Sequence, residues 1–192
     1  MKAYGSVTGT DEKVYKTVVI GTQTWMAENL NYEAEDSKCY NDEDSNCGTY
    51  GRLYNWPTAM AYAGASDDVP SRVTGICPWG WHIPSRAEWE IMTSYIGGND
   101  NAGKKLKATS GWYDNGNGTD DYGFSALPGG SWDPTIQFAY SQFFSIWWSA
   151  SEYNDAEGSK AYYFGMMYNS DATNVPQEIG KSYMFNVRCV KD

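Results

Sequence analysis

GICPWGWHIPSRAEWEIM, residues 75–92, contains the clearest helix signal of the chain. Ser85 and Glu88 have the spacing of a capping box, in which the serine hydroxyl accepts from the Glu88 amide and the glutamate carboxylate accepts from the Ser85 amide. An apolar stripe at helical spacing follows, and a glycine pair ends it: Trp89, Met92, Ile96 and then Gly97-Gly98. This pattern predicts a helix that begins at Ser85 and ends before Gly97.

The same stretch contains His82, the only histidine of the chain and the base that any Ser-His-Asp or Cys-His arrangement would need. His82 stands between Trp81 and Ile83, directly before a proline, and this setting favours a structural role over chemistry. Glu88 is explained as a cap, and it points to a different helix face from Glu90. We therefore predict no catalytic residue.

Composition limits the partners of the chain. Its 192 residues suit one domain, and 14 Lys and Arg against 24 Asp and Glu give a net charge of −10. Such an acidic chain repels the phosphate backbone of nucleic acid and an anionic membrane surface. No apolar run is long enough to cross a membrane. We expect neither nucleic-acid binding nor membrane insertion.

The four cysteines are Cys39, Cys47, Cys77 and Cys189. Their number is even, none has CxxC spacing, and no histidine lies near any of them. Disulfides are therefore favoured over a zinc site, and no structural metal is expected. Disulfides in turn favour an oxidising compartment, so we expect the protein to be secreted, periplasmic or displayed on a cell surface.

Strand and turn signals divide the chain into residues 1–13, expected to be a tail or linker, and a single domain over 14–192. Residues 14–30 predict a hairpin that turns at Gly21-Thr22. Pro57 predicts the first turn of a short helix within 50–64. The glycine-rich segment 110–132 predicts irregular backbone.

The last sixty residues predict short strands. In the final strand, Phe185, Val187 and Cys189 alternate with Asn186 and Arg188, which puts one apolar face inward. Most tryptophans are expected in the core, whereas the tyrosines between 153 and 168 are expected to be partly exposed. The tryptophans assigned to packing are Trp25, Trp56, Trp79, Trp81, Trp89 and Trp147.

Two acidic loops, residues 41–46 (NDEDSN) and 114–121 (DNGNGTDD), carry enough oxygen ligands for Ca²⁺. Neither fits the EF-hand pattern with its distal glutamate. We therefore predict no cofactor, with Ca²⁺ bound in these loops as the alternative to solvated loops.

Six segments, in order, resemble the Fibrobacter succinogenes major paralogous domain family over residues 14–191: VVIGTQTWMAENLNY, YGRLYNW, GICPWGWHIPSRAEWE, TDDYGFSALPGG, WWSASEYN and SYMFNVRCV. That family is in turn similar to the C-type-lectin-like fold of formylglycine-generating enzymes. The resemblance implies an α+β, loop-rich fold with two short helices packed on small antiparallel sheets and with its terminal strands paired. It also implies bridges Cys39–Cys47 and Cys77–Cys189.

The same resemblance bears on function. Formylglycine-generating enzymes hold copper with two cysteines near the C-terminal part of the chain. Here Cys189 is the only late cysteine, so copper-dependent oxidase activity is not expected. The calcium-dependent sugar motif of lectins is also missing, and SEYND (151–155) is its only approximation. Lectin-like folds use the late part of the chain as a variable display surface. Residues 150–180 are therefore expected to present the ligand face.

The ligand-binding residues expected on this face combine aromatic, amide and acidic side chains, a composition typical of paratopes. They are Tyr153, Asn154, Asp155, Tyr163, Met166, Tyr168, Asn169, Asp171, Asn174 and Gln177. We expect a monomeric, non-catalytic module that binds a polysaccharide or a surface protein. The alternatives are an assembly module, which would expose an apolar patch, and an enzyme, which would require paired titratable groups in one cleft.

Overall fold

The computed structural model describes residues 2–174 and 177–191. Its strands are β1 Gly5–Thr8, β2 Val14–Ile20, β3 Gln23–Met26, β4 Tyr54–Asn55, β5 Ser131–Asp133, β6 Gln137–Ala139, β7 Phe144–Glu152, β8 Lys160–Met167, β9 Gln177–Gly180, β10 Met184–Phe185 and β11 Val190–Lys191. Its α-helices are α1 Asp44–Tyr50, α2 Trp56–Ala59, α3 Arg86–Tyr95 and α4 Asn99–Leu106. The α+β class is confirmed.

The described strands form three small antiparallel sheets. Their orders are β1-β2-β3-β11, β4-β10-β5-β6 and β7-β8-β9. The predicted hairpin is present, because β2 and β3 pair across Gly21, whose φ of 65° suits glycine. β11 pairs with β3, with Val190 opposite Trp25, so the strands near the two ends of the chain lie side by side as expected.

Within the segment expected to be a tail or linker, residues 2–13 include a strand. Gly5–Thr8 forms β1, which pairs with β2 from Gly5 opposite Thr17 to Thr8 opposite Val14. All four residues of β1 are at least partly exposed. This explains why the segment carries little apolar signal, since its order comes from backbone hydrogen bonds at a sheet edge.

The predicted helix in the quoted stretch is α3, and the capping box is complete. The Glu88 amide donates to Ser85 Oγ over 3.2 Å, and the Ser85 amide donates to Glu88 Oε2 over 2.8 Å. Trp89 and Met92 are fully buried. The Trp89 ring stacks on Phe164 of β8 at a centroid distance of 4.4 Å, so α3 packs directly on the third sheet.

The described residues form four α-helices, where two were expected. The short helix after Pro57 is α2, with Asn55 as its N-cap. α1 lies within the acidic stretch, and α4 follows Gly98. The sequence of α4, NDNAGKKL, is polar apart from Ala102 and Leu106, and a glycine interrupts it. One buried pair four residues apart is too weak a signal to stand out against that composition.

Among the tryptophans assigned to packing, one prediction is wrong. Trp79 is 93% exposed, whereas Trp25, Trp56, Trp81, Trp89 and Trp147 are all buried. Trp79 lies between Pro78 and Gly80 in a turn that projects its side chain away from the core. A turn breaks the periodic signal by which a buried position is recognised. Tyr153, Tyr162, Tyr163 and Tyr168 are partly exposed, as expected.

The end of the chain is buried on both faces rather than on one. Phe185, Val187 and Cys189 are in the core, but Asn186 and Arg188 are also at most 1% exposed. Arg188 donates from Nε to Asn29 Oδ1 and from the guanidinium to the carbonyls of Phe124 and Ser125. Burial lowers the pKa of Arg188 to about 9. These neutral acceptors and the Phe124 ring next to the guanidinium offset the cost of burying Arg188 in the core.

Both disulfides form as the resemblance implied. Cys39 bonds to Cys47, and Cys77 bonds to Cys189 with 112 residues of separation and a Cα–Cα distance of 5.8 Å. Cys77 lies in the quoted stretch, upstream of the Ser85 cap of α3, and Cys189 adjoins β11. The long bridge therefore ties that segment to the strand that closes the first sheet.

Removal of the long bridge should lower the melting temperature more than removal of the short one. In the chain-entropy account, a loop of about 100 residues contributes roughly 4.7 kcal/mol, against about 2 to 3 kcal/mol for a short loop. Differential scanning calorimetry of C77S/C189S and C39S/C47S tests this difference. Equal melting temperatures for the two double variants would contradict it.

Candidate ligand-binding cavity

Four of the expected ligand residues line one cavity of about 410 Å³ on the third sheet. They are Tyr163, Met166, Asn174 and Gln177. Strands β8 and β9 form one wall, and β5 with β10 form the opposite wall. The other described lining residues are Ser131, Asp133, Tyr140, Phe144, Ile146, Gly165, Met167, Ser170, Ala172, Thr173, Ile179, Tyr183 and Phe185. This volume suits a small ligand or a few side chains.

Five of the described lining residues of the cavity are aromatic. Phe185 lies at the centre, with the Tyr163 ring 5.4 Å away and the Tyr183 ring 6.3 Å away between centroids. Tyr140 and Phe144 form a second pair at 5.0 Å. The planes in these pairs are tilted by 40° to 66°, so the rings meet a ligand from different directions.

Hydrogen bonds fix the polar side chains of the β8–β9 wall. The Tyr163 hydroxyl donates to Gln177 Oε1 over 2.9 Å. Asn174 and Gly165 exchange two hydrogen bonds. The side-chain oxygen of Asn174 accepts from the Gly165 backbone amide, and the backbone amide of Asn174 donates to the Gly165 carbonyl over 3.0 Å. Burial raises the pKa of the Tyr163 phenol. The phenol therefore stays protonated and acts as a neutral hydrogen-bonding group.

Asp133 is the one ionisable acid on the opposite wall. Its Oδ1 accepts from the Thr135 amide over 2.7 Å and from the Thr135 hydroxyl over 2.6 Å. These two bonds, the hydroxyl bond first, lower the pKa of the Asp133 carboxyl, so it is ionised at neutral pH. The neighbouring Tyr183 phenol has a raised pKa, through burial and then through the charge of Asp133.

The comparison with protein families bears directly on this chain. The model of the Fibrobacter succinogenes major domain matches residues 18–191, which include every strand from β3 to β11 and both walls of the cavity.

The chain belongs to the Fibrobacter succinogenes major domain family.

The resemblance deduced from the sequence motifs is thereby confirmed at the level of the family. Searches for similar curated proteins and for similar solved structures give no match. The cavity of this Fibrobacter succinogenes major domain must therefore be interpreted from its own geometry.

The other expected ligand residues lie elsewhere on this domain. Tyr153, Asn154 and Asp155 line a separate hollow of about 310 Å³ at the β7–β8 turn. Tyr168 packs edge-on against Tyr113 and Phe143. Asp171 pairs with Lys104 of α4 at 3.6 Å, and Asn169 is exposed in the turn after β8.

Sequence reasoning missed the β5–β10 wall, which contributes Asp133, Tyr140, Tyr183 and Phe185. These residues fall outside 150–180, where the site was expected. The aromatic pair Tyr140 and Phe144 is visible in the sequence, but no spacing rule brings it next to β9.

A larger cavity of about 590 Å³ lies between β2, the Asn29 region and α1. Its charged side chains are already paired within the chain. Lys13 contacts Asp11 at 3.2 Å, and Lys16 contacts Glu28 at 3.7 Å. Arg188 at its floor is bonded to Asn29 and two carbonyls. The charged groups of this larger cavity are therefore engaged within the chain.

His82 does not line the aromatic cavity. Its Nε2 lies 2.7 Å from Glu88 Oε1, and both residues are buried. The second carboxylate oxygen of Glu88 accepts from the backbone amides of Ser85 and Ser71. The imidazole and the carboxylate are thus engaged in holding chain segments together.

In the described part of the chain, no group of three or more His, Cys, Asp or Glu residues is placed to hold a metal ion. The Ca²⁺ alternative for the two acidic loops stays a prediction. None of the described helices has the length and apolarity needed to cross a membrane.

Replacement of Glu88 should test its structural role. Glu88→Ala strips a buried partner from His82 and two acceptor bonds from backbone amides, so we expect a loss of about 3–5 kcal/mol in the free energy of unfolding. Glu90→Ala is the matched control on the same helix, because Glu90 is exposed and pairs only with Arg86 at 3.7 Å. Its effect should stay within about 0.5 kcal/mol.

Urea denaturation followed by tryptophan fluorescence measures both variants. If Glu88→Ala and Glu90→Ala had the same unfolding midpoint, the buried carboxylate would not be an organising element of the fold.

Proposed function

We propose that this domain is a non-catalytic binding module of an extracellular or surface protein, with its ligand in the aromatic cavity. The observation that carries the proposal is the cavity itself. It is concave, about 410 Å³ in volume, mostly apolar, and contains a few fixed polar groups. This combination is typical of small-ligand and side-chain recognition sites.

The proposed fold is C-type-lectin-like. Two features support it beyond the sequence resemblance: β3 and β11 pair near the ends of the chain, and Cys77–Cys189 bridges the helix segment to the last strand. The two disulfides favour an oxidising compartment. A secreted or surface location is the form of that compartment we propose.

The proposal assigns no reaction to the domain. In support, His82 is engaged with Glu88 outside the cavity, and the copper-binding cysteine pair of formylglycine-generating enzymes has no counterpart. Asp133 is the only Asp, Glu, His, Lys, Arg or Cys among the described lining residues. The described lining residues therefore do not contain the pair of carboxylates that glycoside hydrolysis uses.

One observation favours assembly as a second candidate function. Trp79 is 93% exposed at the tip of a turn, and a tryptophan in that position suits insertion into a partner. Sedimentation velocity of the wild type and Trp79→Ser distinguishes the two. Assembly through this turn predicts a concentration-dependent oligomer that the variant loses, whereas a monomer at all concentrations contradicts it.

Ligand binding is tested by amide chemical-shift mapping with a fragment library and a set of soluble oligosaccharides. We expect the amides of Gly165, Asn174 and Gln177 to shift together. Tyr163→Ala should weaken the best hit by about 2 kcal/mol, roughly 30-fold, since it removes an aromatic wall.

Tyr162→Ala is the matched control, because Tyr162 is the preceding residue on β8 but contacts Arg86 and Tyr153 instead of the cavity. Its affinity should stay within about twofold of wild type. If no fragment and no oligosaccharide shifts the cavity amides, the proposed function is refuted.

A further inference from the structure

The cavity carries a negative charge with no ion-pair partner among the described residues. Asp133 is its one ionised side chain, and no lysine, arginine or histidine is among the described lining residues. No cation of the described residues lies within ion-pair distance of Asp133. Its hydrogen-bond partners among the described residues are neutral: Thr135 donates twice to Oδ1, and the Ile136 backbone and the Tyr183 phenol also bond to the carboxylate.

The aromatic rings of the cavity also differ from other rings of the domain in their contacts with lysine and arginine. Outside it, the chain supplies cations to aromatic faces: Arg86 lies 4.7 Å from the Tyr162 centroid, Lys181 lies 4.4 Å from Trp56, and Lys160 lies 5.7 Å from Tyr153. Within the described residues, no such contact involves the five rings of the cavity, Tyr140, Phe144, Tyr163, Tyr183 and Phe185.

Tilted aromatic faces around a carboxylate are the chemistry that recognises an organic cation. The negative face of each ring attracts an ammonium or guanidinium group, and the attraction grows when the cation leaves water. A carboxylate at the same site adds a direct charge partner. The net charge of −10 would also draw a cation towards the domain.

The neighbouring strand indicates how such a group is presented. β9 is the outer strand of the β7-β8-β9 sheet, and in the described chain its far edge pairs with no other strand. Gln177 and Ile179 of β9 line the cavity. An extended peptide added along this edge would form backbone hydrogen bonds and place alternate side chains beside the cavity.

We propose that the aromatic cavity binds the lysine or arginine side chain of a protein partner whose extended segment pairs with β9. This inference rests on the proposed function and specifies its ligand class. The aliphatic stem of the side chain packs on Ile179 and Phe185, and its charged end reaches Asp133. Neutral polysaccharide, the other expected ligand, lacks the charge that Asp133 would complement.

The test uses two blocked peptides that differ in one group, acetyl-Thr-Val-Lys-Val-Thr-amide and the same peptide with norleucine in place of lysine. Affinities come from amide chemical-shift titrations of the whole domain at low salt. We expect the lysine peptide to bind at least about tenfold more tightly than the norleucine peptide. Added salt should reduce this preference.

Asp133→Asn should abolish the preference for lysine while keeping the fold, because asparagine Oδ1 still accepts from Thr135. Asp155→Asn is the matched control: Asp155 also accepts bonds within its own turn, from Glu157 and Ser159, but it lies outside the cavity. The control variant should keep the full preference, and melting temperatures check that both variants are folded.

Several outcomes would overturn the inference. Equal affinities for the two peptides would contradict recognition of a cation. An unchanged preference for lysine in Asp133→Asn would contradict the role of Asp133 as the charge partner. If choline shifts the cavity amides and neither peptide does, the cation does not come from a protein side chain. If neutral fragments occupy the cavity and cations show no advantage, this inference fails while the binding function stands. If no probe shifts the cavity amides, both fail.

Discussion

The structure depends on the buried carboxylate of Glu88. One oxygen holds the amides of Ser85 and Ser71, and the other meets His82. The backbone of His82 exchanges two hydrogen bonds with Val190 of β11. A single side chain therefore connects the start of α3, an upstream loop and the strand that closes the first sheet. A carboxyl group so deeply buried needs hydrogen-bond partners for both oxygens, so these segments depend on one another for their positions.

The cavity is a secondary consequence of this arrangement. Trp89 of α3 stacks on Phe164, and Trp147 of β7 donates from its indole to Asn29 Oδ1, which also accepts from Arg188. These contacts hold β7 and β8 against the helix. The opposite faces of the sheets are then left to form the aromatic cleft. The ring pairs of the cavity pack against one another on these faces.

Much of this fold can be predicted from the sequence, and the limits have physical causes. The capping box, the hairpin at Gly21-Thr22 and the short helix after Pro57 depend on neighbours in the chain, so local chemistry specifies them. α4 lacks a clear apolar stripe, and Arg188 is buried because of acceptors contributed by residues far away in sequence. The family resemblance supplied the disulfide pairing. Half of the cavity was missed because β5 and β10 meet β9 only through the tertiary fold.

The edge of the cavity is separated from the elements that hold the fold together. Asp133, Tyr140 and Gln177 are partly or fully exposed, and none of them contacts Glu88 or either disulfide. Substitutions at these positions would change what the cavity accepts with little loss of stability. After gene duplication, copies of such a domain can therefore diverge in specificity by single steps without first acquiring stabilising changes. The separation makes the scaffold evolvable.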